Sequence, residues 1–183
     1  MGEIKSTLEL AMERAEKIEV SPEEKEKIKR EEYIAKAKGM ANRYINEELN
    51  LKGLAKELDR FQGSPKDIIE ETLILELVNI IDISLDNNRS MKAIETLKQN
   101  KFKPILDSID RICLDFREEK ERQQKKMGEE LEEKLKEKLE GMKISGTAVQ
   151  PKVDSDERWR HTLHSLTSEY EARLSKLKDE LLQ

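Results

Sequence analysis

Few residues in this chain have the type and spacing needed for chemistry. Glu157, His161 and His164 stand four and three apart. That places them on one side of a helix, as the beginning of a zinc or iron site would be. The chain has only two histidines and one cysteine, so no further strong ligand is at hand to complete the set. Asp107 and Asp110, with Arg111 adjacent, have the spacing of paired carboxylates in helical nucleotide hydrolases. Glu76 and Asp82 interrupt the most apolar stretch and offer a second carboxylate pair. Cys113 sits among Ile109, Ile112 and Phe116 with no histidine nearby, which reads as a packed core thiol. The seven glycines are scattered, so no phosphate loop is formed, and no Glu-x-x-His pair exists for a di-iron bundle. Each carboxylate pair also reads as an ordinary solvated helix face. The expectation is therefore no catalytic residue, no metal ligand and no cofactor.

The elements that would position these groups read as helices throughout. Pro65–Leu85, PKDIIEETLILELVNIIDISL, is apolar nearly all the way round at 100° per residue. Ile69, Leu73, Leu77, Ile80, Ile81 and Ser84 share one broad side, and Ile74, Val78 and Leu85 widen it. Thr72, Glu76 and Asn79, with Asp82 beside them, make the one polar stripe. Ser64 before Pro65 predicts a hydroxyl cap followed by proline at the first helical position. This stretch is expected at the centre of a helical bundle. Its charges leave no run of about 18 uncharged residues, so it does not span a membrane.

On either side the same periodicity continues. Residues 3–19 show a narrow apolar face of Ile4, Leu8, Ala11, Met12, Ala15 and Ile18. Ser21-Pro22 restarts a helix that should run to about Leu49, with a break or kink at 50–53. Ser90 should cap a short helix over Met91–Gln99, and Pro104 should open another. That helix begins with a core face and changes character at Arg117. From there acid-before-base pairs such as Glu118/Arg122 and Glu130/Lys134 stand four apart. A thin stripe of Met127, Leu131, Leu135 and Leu139 runs between them. The division expected is a bundle over 1–116, a charged helical arm over 117–142, an extended linker over 143–155 and an amphipathic helix over 156–183. Ile144, Val149 and Val153 suggest that the linker is partly docked.

The last helix carries the most regular apolar pattern. Trp159, Leu163, Leu166, Tyr170, Leu174, Leu177 and Leu181 alternate spacings of four and three, as in a coiled-coil seam. Such a face must be buried against the arm, the bundle, a second copy or another protein. It is the candidate partner-binding surface.

Bulk properties narrow the function classes. Of 183 residues, 41% are charged, 36% hydrophobic and 4% aromatic. Charged residues make up about 25% of an average globular chain, so helical arms should account for the excess. The net charge of −5 and the lack of a clustered basic face argue against nucleic acid and against a membrane surface. No leader or membrane segment is evident, and the single cysteine fits a reducing compartment, so a cytoplasmic chain is expected.

Two stretches, MGEIKSTLELAMERAEKI at the start and ISGTAVQPKVDSDERW before the last helix, resemble an uncharacterised family of small bacterial helical proteins. The resemblance implies an all-helical bacterial protein and carries no activity or functional residues. The leading expectation is an all-α, non-enzymatic interaction or assembly protein, binding a protein partner or a second copy through its C-terminal helix. The rival is a carboxylate-dependent metal enzyme acting on a small phosphorylated or nucleotide substrate through Glu76 and Asp82 or Asp107 and Asp110.

Overall fold

The computed structural model describes residues 21–142 and 151–183. The expected helix over 3–19 and most of the expected linker, 143–150, lie outside the described residues. The fold is all-α: no strand occurs among the described residues.

Helix α1, Pro22–Ile45, opens on a capping box. Ser21 Oγ accepts the Glu24 N–H at 3.1 Å, and the Glu24 carboxylate accepts the Ser21 N–H at 3.0 Å. The helix stops at Ile45 rather than near Leu49. Glu47 takes a left-handed conformation with φ 66° and reverses the chain. Of the break or kink expected at 50–53, the structure has the break: Asn50 Oδ1 accepts the Gly53 N–H at 2.8 Å and caps α2, Leu51–Leu58. Arg89 holds this reversal from outside. Its guanidinium donates to the Tyr44 carbonyl at 2.6 and 2.9 Å and to the Leu49 carbonyl at 3.3 Å. It also lies 4.7 Å from the Tyr44 ring centroid, and the Tyr44 hydroxyl donates back to the Arg89 carbonyl at 3.0 Å.

Helix α3, Ser64–Ile80, is the centre that the sequence predicts, with two differences. Gly63, at φ 61°, is the N-cap, and Ser64 lies inside the helix without capping it. The helix also ends at Ile80. Ile81, in extended backbone, and Ile83, in the turn that follows, are still buried, while Ser84 and Leu85 face solvent. Ile69, Leu73, Leu77 and Val78 are fully buried on α3. Helix α1 packs against it, and Ala37 and Ala41 of α1 are buried in the same core. Lys38 of α1 reaches Glu76 at 3.4 Å on the rim of this contact.

Helix α4, Asn88–Leu97, starts before the expected Ser90, which is buried inside its first turn. Helix α5, Lys103–Gly141, is one continuous helix of 39 residues, about 58 Å long at 1.5 Å per residue. The bundle's core face and the charged arm are thus two halves of a single rod, with no break at Phe116 or Arg117. A 3₁₀ turn at Val153–Ser155 leads into α6, Glu157–Leu181, which Asp156 caps. Helix α6 folds back along α5, and its C-terminal half reaches α3. No helix among the described residues is long and apolar enough to cross a membrane.

Candidate functional site

The C-terminal stripe is seated on the chain itself. Trp159, Leu174 and Leu181 are 2–4% exposed, Tyr170 is 8% exposed, and Leu163, Leu166 and Leu177 are half-buried. Tyr170 packs its ring 5.5 Å from that of Phe116 on α5. Tyr170, Leu174 and Leu181 join the core that α3 and α5 build, whereas Trp159 is buried apart from it, at the end of α6 where the 3₁₀ turn meets α5. Gln124 donates to Asp154 at 3.1 Å, and Arg158 stands 4.0 Å from Glu130. Of the surfaces that could bury this stripe, the arm and the bundle do so. A face of alternating four and three spacing looks the same in sequence whether its partner is in the same chain or another. While α6 is seated, these seven side chains form an internal seam.

The carboxylate candidates are dispersed. Glu76 is ion-paired with Lys38. Asp82 lies beyond the end of α3 and accepts the Ser84 N–H at 2.8 Å, with the Ser84 hydroxyl on the same oxygen. These bonds hold its carboxyl below the usual range. Asp107 and Asp110 are exposed on α5, on either side of the buried Ile109. Glu157, His161 and His164 are exposed on α6, away from the seam. No group of three His, Cys, Asp or Glu residues able to hold a metal ion occurs among the described residues.

Cys113 is buried, as its apolar neighbours imply, and burial pushes its thiol pKa up. Asn87 Nδ2 donates to its sulfur at 3.4 Å. Lys178 of α6 reaches the same joint and donates to the Asn79 carbonyl at the end of α3, at 3.4 Å. That carbonyl is one of the acceptors a helix leaves unpaired at its C-terminus. Burial pulls the Lys178 ammonium pKa down, and the charge of Asp82 partly restores it.

Two features escaped sequence reasoning. The first is how far α5 outruns α6. Among the described residues, the polar contacts that α6 and its leading 3₁₀ turn make with α5 involve Gln124 and Glu130, and α5 continues from Leu131 to Gly141. Leu131, Leu135 and Leu139 are half-buried there, amid exposed Glu and Lys side chains. The signal was present in the lengths of the two helical patterns. The second is a cleft of about 480 Å³ between α3, the α4–α5 turn and the end of α6, beside Leu75 and Leu182. Leu75 lay off the broad apolar side of its helix and Leu182 just past the seam, so neither stood out.

The chain matches the model of a family of unknown function, DUF6657, over residues 55–183. That is more than half of the chain, and the protein belongs to this family. The match includes the stretch ISGTAVQPKVDSDERW and begins after the N-terminal one, so an uncharacterised family is what the comparison supports. No curated protein and no solved structure matches the chain.

Proposed function

We propose that this family member is a non-enzymatic interaction or assembly protein, working through coiled-coil-like helices. The observation that carries the reading is the outrun of α5 beyond α6. In proteins most helical stability comes from packing an apolar stripe. A rod that continues past its own core with Leu131, Leu135 and Leu139 spaced by four is suited to receive another helix. The acid and base side chains flanking that stripe favour a partner helix of balanced charge. In this reading the C-terminal seam contributes by holding the rod rigid. A cytoplasmic location is part of the proposal, and the free, buried thiol of Cys113 fits a reducing compartment.

The test is affinity capture with Leu135→Asp and Leu139→Asp, alone and together, checked by circular dichroism for retained helix. Loss of a partner that the unaltered chain retains supports the reading. Capture unchanged by the pair of substitutions contradicts it.

A further inference from the structure

The cleft beside Leu75 and Leu182 lies at the other end of α5 from the rod's tip. Twenty-eight residues separate Lys103 from Leu131, about 42 Å of helix. Its floor is apolar, formed by Ile74, Phe102 and Leu181. Two large apolar side chains stand at its edge in solvent: Leu75 is 40% exposed and Leu182 44% exposed. Its walls carry opposite charge. Glu71 lines the α3 side, and Lys98 and Lys101 line the α4–α5 turn. Lys98 is engaged by Glu70 at 3.3 Å. Glu71 and Lys101 have no ion-pair partner among the described residues, and Lys101 rests its ammonium 5.4 Å from the Phe102 ring centroid.

We propose that this cleft is the contact face of a two-fold dimer, its occupant a second copy of the same chain. A two-fold interface must complement itself, because each patch meets an identical patch. A surface with acid on one wall and base on the other meets that condition. Rotation by 180° sets Glu71 of each copy toward Lys101 of the other. The same rotation offers the two exposed leucines of each copy to the apolar floor of its neighbour. A cleft that is all apolar or of one sign would not distinguish a second copy from other partners; the opposed charges do. A dimer held by two exposed leucines from each copy and two exposed ion pairs should dissociate on the order of micromolar concentration. It is also a different surface from the α5 tip, so either can fail without the other.

The test is sedimentation equilibrium of the full chain over a concentration series. Glu71→Lys and Lys101→Glu each replace two attractive pairs with two repulsive ones and should weaken dimerisation at least about tenfold. Both sites are exposed, so the fold is not at risk, and thermal melts confirm this. The two changes in one chain should restore the dimer, as should an equimolar mixture of the two single variants. Leu75→Glu with Leu182→Glu should abolish it. A chain that is monomeric at every concentration overturns the proposal. So does a dimer indifferent to the single charge reversals or to the leucine pair, or a charge-reversed pair no tighter than its weaker parent.

Discussion

Asn87 and Asp82 hold each other by two hydrogen bonds. The Asp82 N–H donates to Asn87 Oδ1 at 3.0 Å, and Asn87 Nδ2 donates to the Asp82 carbonyl at 2.7 Å. One side-chain amide thus satisfies both backbone groups of a residue that has left the helix. This is why α3 ends at Ile80 while Ile81 and Ile83 continue into the core.

Asn87 is 7% exposed, so its loss leaves buried groups without partners. Asn87→Ala should destabilise the chain by about 1–3 kcal/mol, the usual cost of an unsatisfied buried group. Chemical denaturation measures it. A change below about 0.5 kcal/mol would mean that water replaces the amide at no cost.

The Asn87 pairing also marks where sequence reading reached its limit. Local signals served well when the deciding group was adjacent. Ser21-Pro22, Asn50 and Asp156 all begin helices within three residues of the group they cap. The end of α3 depends on a residue five positions beyond Asp82, and periodicity alone ran the helix on to Leu85. Gly63, rather than the hydroxyl of Ser64, caps α3. The apolar stripe of α6 was legible in full, but not what it faces. Phe116 and Tyr170 meet across 54 positions, and no local pattern carries that pairing. The candidate carboxylates had plausible spacing, yet Glu76 went to Lys38 and Asp82 to Ser84. Lys38 comes from another helix, which only the assembled bundle brings alongside, whereas Ser84 is two residues from Asp82 in the turn that replaces the last part of the expected helix.

Lys178 and Tyr44 should act with opposite sign in alkaline solution. Burial lowers the folded pKa of Lys178, so the unfolded chain binds more protons just below the ordinary lysine value of about 10.4. Its contribution to stability therefore rises with pH in that window. Burial raises the pKa of Tyr44, so its contribution is complete below about pH 10 and is lost as pH rises further. The stability of Lys178→Met minus that of the unaltered chain isolates the first effect. The difference should fall as pH approaches 10.4, and a flat difference would show that the ammonium is solvated.

Trp159 is the only tryptophan and is 2% exposed. Its emission should be blue-shifted and resistant to acrylamide at all protein concentrations, since its cover comes from its own chain. Leu174→Ala, at 4% exposure in the same seam, should cost about 2–5 kcal/mol. Emission that shifts to the red on dilution would instead place Trp159 in a contact between chains.

Gln99 closes α4 in a left-handed conformation with φ 49° and is exposed. Glycine takes that conformation without the Cβ penalty. Gln99→Gly should stabilise the chain by up to about 1 kcal/mol, read as a higher melting temperature. A lower melting temperature would mean that glycine's greater freedom in the unfolded chain outweighs the relief.

The most direct test of the interaction role is photo-crosslinking in cells from single positions. The probe is placed at Glu133 or Lys136 on the outrunning part of α5, and at Asp107 on the bundle as a control; all three are exposed. The expected result is a discrete partner band from the two tip positions and none from Asp107. No tip-specific band, or the same bands from all three positions, would contradict the claim that the rod beyond α6 is where this protein meets its partner.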